Sequence, residues 1–277
     1  MVRVVTDSTA DIPPDVATRL GISVIPCYVV FGNETYRDGI ELSKQQFYKK
    51  LSATGLIPTT AAPPPSTYEE VYRQLASETA EIVSIQLAAR LSAIYNSAAI
   101  AAIQIPNARI SVIDSEQVSM GYGWLAIAAA EAAQRGDNLE QIVTLVEDMK
   151  ARSRLLAYLD TLEFLYRGGR VGWVQAMIGT LLRIKPIIEV REGEVRLLER
   201  SRTQKRALDR LMEMVMALGP LERACVLHAN TPDLAEYVAD RLAALNPGRE
   251  RLTVQAGVTI ASHAGPGAIG IACVAVN

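Results

Sequence analysis

Two hydroxyl side chains stand where helices are predicted to begin, in positions suited to holding an anion. Ser92 opens a predicted helix directly after a buried strand. A carboxylate there would meet the hydroxyl, free backbone N–H groups and the positive end of the helix dipole. Thr60 lies in a stiff loop before the proline run 63–65 and offers a second hydroxyl. Ordinary capping explains Ser92 as well, so each signal is weak by itself.

The chain has only two histidines, and they differ in their surroundings. His263 lies in the small-residue segment 262–268, predicted as a glycine-rich turn between two strands that allows close backbone approach to a ligand. A lone histidine is more often structural than catalytic, but this setting favours a functional role for His263. His228 stands at a strand end and is the weaker candidate, since capping the following turn would explain it.

Arginines next to a glycine pair form a further candidate site. Gly168 and Gly169 allow a tight turn that presents the guanidinium group of Arg170. Arg202 belongs to the basic stretch from Arg183 to Arg210, which nearby glutamates balance. We interpret most of that stretch as a solvated face and keep Arg170 and Arg202 as functional candidates.

Acidic side chains at strand ends raise an alternative in which the chain is itself an enzyme. Asp7 follows the first strand and Asp114 the fourth, so both could bind a metal and act on phosphoryl or acyl groups. A turn in which Asp7 caps backbone N–H groups explains that residue equally well. The sequence has no GxxxxGK[ST] phosphate loop and no GxSxG elbow, and two histidines leave little room for metal or triad chemistry. The enzyme therefore ranks below a binding protein, and a pure interaction module ranks last.

The elements that must position these residues follow an α/β pattern in the first half. Short β-branched runs alternate with helical stretches, which predicts a mostly parallel sheet with flanking helices. The predicted strands are Val2–Val5, Ile22–Phe31, Ile82–Leu87 and Ala108–Ile113, and the predicted helices are 43–54, 66–80, 92–104, 119–135 and 138–152.

The second half has more strands in sequence and predicts a mixed sheet with helices. The predicted elements are the strand Leu155–Leu159, a hairpin over 186–199, helices 203–217 and 231–245, and strands Ala224–Leu227, 251–256 and 269–276. With 277 residues the chain is long for a single core, so we expect two α/β domains, 1–150 and 151–277.

Composition narrows the class of partner. The formal charge is −2, which does not favour nucleic acid, and the three cysteines stand far apart in apolar runs typical of buried strands. No metal site is expected. The first residues lack the apolar stretch of a signal peptide, and no segment is long enough to span a bilayer. We therefore expect a cytoplasmic protein without stable membrane insertion.

Taken together, these segments resemble the DegV family of bacterial fatty-acid-binding proteins, nearly from end to end. The order and spacing of several short motifs carry the resemblance. These are TDSTADIP at 6–13, the threonine loop before proline, LSAIYNSA at 91–98, Asp114-Ser115 with SMGYG at 119–123, LEFLYRGGRVG at 162–172, KPII at 185–188, Ser201-Arg202-Thr203 and HAGPGAIG at 263–270.

The resemblance implies a long-chain fatty acid buried between the two domains, with no other cofactor. Thr60 and Ser92 would hydrogen-bond its carboxylate, with His263 close by. Arg170 would lie near the pocket mouth, and Arg202 in the surface that meets a fatty acid kinase subunit. That partner would phosphorylate the carboxylate with its own ATP, so the chain itself would be a carrier and not an enzyme.

This sequence departs from the family pattern at the expected carboxylate site. Ala61 and Ala62 replace a serine and a glutamine, and Ala88 and Ala89 replace a serine pair. Each lost polar partner would contribute roughly 0.5 to 1.5 kcal/mol net. We therefore expect Thr60, Ser92 and His263 to carry more of the head-group binding here.

Overall fold

The computed structural model describes residues 1–175, 184–245 and 250–276. Arg183, at the start of the basic stretch, lies outside the described residues. The described chain forms an α/β structure with a parallel sheet from its first half and a mixed sheet from its second. The predicted fold class is thereby confirmed.

The first sheet is entirely parallel. Its strands, in spatial order, are β2 (Ile22–Ile25), β1 (Arg3–Asp7), β6 (Glu81–Gln86) and β7 (Arg109–Asp114). Central strand β1 is buried along almost its whole length, which fits its β-branched run. The carboxyl ends of β1 and β7 bring Asp7 and Asp114 to one edge of this sheet.

The prediction of a single strand over Ile22–Phe31 is wrong, because the chain changes sheets at Pro26. Proline has no N–H to donate to a ladder, so β2 ends before it. The next strand, β3 (Tyr28–Phe31), joins a small antiparallel sheet instead. Its partners are β4 (Glu34–Arg37) and β5 (Thr59–Ala61). Thr60 therefore lies in a short strand and not in the loop predicted for it.

Helices cover the two sheets of the first half. They are α1 (Pro14–Leu20), α2 (Lys44–Thr54), α3 (Pro65–Ala76), α4 (Ile94–Ile103), α5 (Met120–Arg135) and α6 (Leu139–Arg152). Asn138 caps α6 and forms a capping box with Gln141.

The second half contributes a six-stranded mixed sheet. Its strands, in spatial order, are β10 (Glu194–Ser201), β9 (Lys185–Arg191), β8 (Ser153–Tyr158), β13 (Ile269–Ala275), β11 (Leu221–His228) and β12 (Glu250–Gln255). Neighbours run antiparallel except β11 and β12, which are parallel. The accompanying helices are α7 (Glu163–Gly168), α8 (Gly172–Gln175), α9 (Gln204–Met216), α10 (Pro232–Leu245) and α11 (Val258–Ala264).

The position of His263 corrects a second prediction. The segment before Gly265 is the helix α11 and not a loop between two strands. It ends at Gly265, whose positive φ of 75° suits glycine and whose α-carbon faces the Phe164 ring so closely that a side chain would collide. His263 is therefore held on a helical turn.

The two halves pack on each other through α5. Thirteen of its sixteen residues are buried, and it contacts β1 and β6 on one side and β8 and β13 on the other. Alanines and two glycines make this close packing possible, since small side chains allow neighbouring backbones to approach. Among the described helices, none combines the length and apolar character needed to cross a membrane.

Candidate functional site

The start of α11 is held by two buried carboxylates from the first half of the chain. Asp11 accepts a hydrogen bond from the Gly257 N–H at 2.7 Å. Asp38 accepts from the N–H groups of Val258 and Thr259, each at 3.3 Å. These bonds satisfy N–H groups that the first helical turn leaves unpaired. The second aspartate of the TDSTADIP motif therefore positions the helix that carries His263.

Close approach at this point requires glycine. A β-carbon at Gly257 would lie 2.8 Å from the nearer carboxylate oxygen of Asp11. Burial raises the pKa of Asp11 to about 7, although the Ser119 hydroxyl and the Gly257 N–H favour its charged form.

His263 and Thr60 meet across the two halves of the chain. His263 Nε2 lies 2.8 Å from Thr60 Oγ1, within hydrogen-bond distance. The other face of the imidazole rests on the glycine turn, where a β-carbon at Gly168 would lie 2.5 Å from Nδ1. The first glycine of LYRGGR, Gly168, thus makes room for His263.

The imidazole is uncharged at neutral pH. Burial, together with the positive charge of Arg170, lowers the pKa of His263 to about 4. A neutral imidazole has one N–H donor and one acceptor nitrogen. In the tautomer with its proton on Nε2, His263 donates to Thr60 Oγ1, and the Thr60 hydroxyl can donate its own proton to a ligand.

Arg170 stands exposed beside this pair. Its guanidinium donates to the Gly168 carbonyl at 2.6 Å. Among the described residues, no carboxylate forms an ion pair with it. Arg170 therefore supplies a positive charge next to the His263 and Thr60 side chains.

Ser92 lies one residue earlier than a capping position. Helix α4 begins at Ile94 and Ala93 is its N-cap, so the prediction of Ser92 at or near the N-cap holds to within one residue. The Ser92 hydroxyl accepts a 3.3 Å bond from the Ile94 N–H, which leaves its own proton free to donate.

Thr60, Ser92, His263 and Arg170 all line one pocket. The empty space between its walls is about 1190 Å³ when the solvent at the open end is counted. Residues from both halves of the chain line the pocket.

The pocket wall is apolar over most of its extent. Leucine, isoleucine and valine side chains from the inner face of the six-stranded sheet form one wall, among them Leu155, Leu159, Ile188, Val190 and Val195. Leu87, Leu91, Ile94 and Val118 face them from the first half. The described residues that line the pocket include no carboxylate and no lysine, so Arg170 is the one charged side chain among them.

Four further polar residues line the pocket, namely Thr9, Ser119, Thr259 and His228. None of them was assigned to the head group from the sequence, and His228 ranked as the weaker of the two histidine candidates. Thr9 and Ser119 are committed to Asp7 and Asp11 respectively. Thr9 thus brings the TDSTADIP segment to the pocket. Thr259 carried no signal, because a threonine in a small-residue segment has no pattern around it.

Asp7 and Asp114 serve structural roles. Asp7 is fully buried and accepts hydrogen bonds from the Thr9 N–H and from the Tyr122 hydroxyl at 2.9 Å each. Asp114 accepts from the N–H groups of Ala89 and Glu116. Within the described parts of the chain, no cluster of three or more candidate metal ligands occurs.

The other predicted positions divide between the pocket wall and the rest of the molecule. Arg202 is exposed at the end of β10 and does not line the pocket. Ala61 and Ala62 line it, whereas Ala88 and Ala89 do not. The alanine substitutions at 61 and 62 thus make the pocket wall beside Thr60 less polar.

Comparison with known proteins gives a consistent result. The family model of the DegV family of uncharacterised proteins matches residues 1–276. A DegV domain-containing protein of Streptomyces coelicolor is 37% identical over 98% of this chain and 97% of its own.

Solved structures agree with the sequence match. A DegV family protein from Thermus thermophilus, described for its fatty acid binding, has 34% identity and a TM-score of 0.92. DegV of Bacillus subtilis, described as a fatty acid binding protein, has 35% identity and a TM-score of 0.90. In both cases 99% of each chain is covered.

Proposed function

The chain belongs to the DegV family, and we propose that it binds a long-chain fatty acid in the pocket between its two halves, which we take as domains 1–150 and 151–277. The observation that carries this proposal is the composition of the pocket wall, apolar throughout except for a group of neutral donors beside one arginine. A fatty acid has the same division between a long apolar chain and a small anionic head. The solved relatives described as fatty acid binding proteins support the same ligand class.

The apolar wall supplies most of the binding free energy. Each methylene removed from water contributes about 0.8 kcal/mol. The carboxylate is the costly part, because a buried charge must find hydrogen bonds or a countercharge. In our proposal the Thr60 and Ser92 hydroxyls donate to the carboxylate and His263 orients Thr60.

Arg170 balances the charge of the bound carboxylate. Its exposed guanidinium stands at the same end of the pocket as the Thr60–His263 pair, and its positive charge already acts on His263. The ligand would therefore lie with its head toward Arg170 and its chain along the six-stranded sheet.

We further infer that the chain acts as a carrier and that a separate kinase performs any phosphorylation. Both aspartates are occupied by structural hydrogen bonds, which argues against the alternative of a metal site at Asp7 and Asp114. Arg170 at the pocket and Arg202 on the surface would contact that kinase. The head-group end is the part of the ligand that such a partner would have to reach.

Lipid retention tests the proposal. Protein purified from a bacterial host should carry fatty acid at about one molecule per chain, measured by organic extraction and mass spectrometry. The double variant Thr60→Ala, Ser92→Ala should retain at least tenfold less, since each bond to a charged group contributes about 1.5 to 3 kcal/mol.

Thr59→Ala is the matched control. Thr59 neighbours Thr60 on β5 but is exposed and outside the pocket. Its variant should retain as much lipid as the wild type. Wild-type protein free of fatty acid and unable to bind added palmitate would overturn the proposal, and unchanged retention in the double variant would remove the carboxylate assignment.

A further inference from the structure

A buried threonine in the pocket has a hydroxyl without a partner. Thr259 is 6% exposed, and its Oγ1 has no hydrogen-bond partner among the described residues. Three other described side chains share this condition, namely Tyr48, Gln117 and Ser201, and none of them lines the pocket. Leaving a buried hydroxyl unpaired is unfavourable, and Thr259 is the one of these four residues that lines the pocket.

The usual internal partner of a helical threonine is missing for Thr259. A threonine within a helix commonly bonds back to the carbonyl four residues earlier. Thr259 is the second residue of α11, so that carbonyl belongs to Gln255 of β12, outside the helix, where it accepts from the Lys44 ammonium group. Thr259 lines the pocket, and its own N–H is bonded to Asp38.

The position of Thr259 relative to His263 identifies the ligand group. The two residues are four apart on α11 and so lie on the same face, one turn from each other. Helical side chains lean toward the N-terminus, which directs the imidazole toward Thr259. A carboxylate has two oxygens with about four acceptor positions, more than Thr60 and Ser92 fill.

We propose that the Thr259 hydroxyl is a further head-group ligand, which donates a hydrogen bond to the carboxylate of the bound fatty acid. This inference rests on the proposed function. Helix α11 would then contact the head group twice. His263 would act indirectly, through Thr60, and Thr259 would bind the carboxylate directly. The Thr259 hydroxyl also gives this chain a polar contact that offsets the alanines at 61 and 62.

Thr259→Val tests the contact, because valine keeps the shape and removes the hydroxyl. In protein stripped of lipid, the melting temperature should stay unchanged or rise, since an unpaired buried group is lost. Palmitate affinity, measured by calorimetry, should fall about tenfold, as expected for a hydrogen bond to a charged group. Affinity for hexadecanol, which has no carboxylate, should fall by less than threefold.

Ser201→Ala is the matched control. It removes a hydroxyl that is equally buried and equally unpaired but lies outside the pocket. Its palmitate affinity should equal that of the wild type.

Three outcomes would overturn the assignment of Thr259. Palmitate affinity unchanged in Thr259→Val, with the wild type binding normally, would remove the contact and leave the proposed function standing. If Thr259→Val lost affinity only for a fatty acid with a hydroxyl group on its acyl chain, the Thr259 hydroxyl would contact the acyl chain and not the carboxylate. A wild type that binds neither palmitate nor hexadecanol would overturn the contact and the proposed function together.

Discussion

His263 is kept uncharged by burial and by Arg170, and this has a consequence for stability. In the unfolded chain a histidine titrates near 6.5, whereas in the folded protein the pKa of His263 is about 4. Between these values the unfolded chain binds the proton and the folded one does not. Acidification from pH 6.5 to 4 therefore lowers the free energy of unfolding, by at most about 1.4 kcal/mol per pH unit.

The variant His263→Gln should lose this dependence. Glutamine cannot titrate but can still hydrogen-bond Thr60, so the difference in unfolding free energy, wild type minus variant, should decline as pH falls from 6.5 to 4. Denaturant unfolding at several pH values measures it. Asp11, whose raised pKa acts in the opposite direction, is present in both proteins and cancels. Parallel curves for the two proteins would show that His263 is protonated in the folded state.

At the residue scale, the sequence identified hydroxyl and imidazole groups but not all of their neighbours. Thr60, Ser92, His263 and Arg170 line one pocket. They could be identified from the sequence because each belongs to a recognisable motif. Thr259 and Ser119 were missed since their importance comes from tertiary contacts between segments more than 100 residues apart. Asp7 was interpreted as a possible turn residue, and only the fold shows that Asp11, four residues later, holds the start of α11.

Helices α7 and α11 pack against each other at a point where only glycine fits. A β-carbon at Gly168 would lie 2.5 Å from His263 Nδ1, too close for any real contact. Gly168→Ala should therefore push the imidazole away from Thr60 and lower palmitate affinity roughly five- to twentyfold, the loss expected for about one hydrogen bond to a charged group.

Gly172→Ala provides the comparison four residues later. A β-carbon there would meet no atom within 4 Å, and alanine reduces the freedom of the unfolded chain. Its affinity should match the wild type, with stability equal or slightly higher. Equal binding by Gly168→Ala would show that the α7–α11 contact can relax without moving His263.

Strands with continuous apolar runs were predicted well, and short polar elements were not. The runs at β1 and β6 stand out because both faces of the parallel sheet are buried there. Strands β4 and β5 have only four and three residues, mostly exposed, so no alternation marks them. Helix α11 was mistaken for a loop because its serine, histidine and alanines give no apolar stripe. Its stability comes from Asp11 and Asp38, which are remote in sequence.

At the scale of the whole molecule, a boundary at residue 150 separates the strands of the different sheets, but it does not separate the helices and side chains that pack between the two halves. Strands before that point form two sheets and strands after it form the third. Helix α5 nonetheless packs on strands of both halves, and Val258 and Ala261 of α11 share a small core with Phe31 and Phe47. The two halves are therefore expected to unfold together, which leaves the domain boundary a proposal about architecture and not about independent stability.

A ligand that contacts both halves should stabilise the whole chain. Fatty acid at one hundred times its dissociation constant would add about 2.7 kcal/mol to the free energy of unfolding, because it binds only the folded state. For a chain of this size that corresponds to an increase in melting temperature of about 5 °C or more. Calorimetry of lipid-stripped protein with and without palmitate should show one transition that moves as a unit. Two transitions, of which palmitate shifts only one, would mean that the ligand belongs to a single half and that the walls assigned here to both halves do not enclose it.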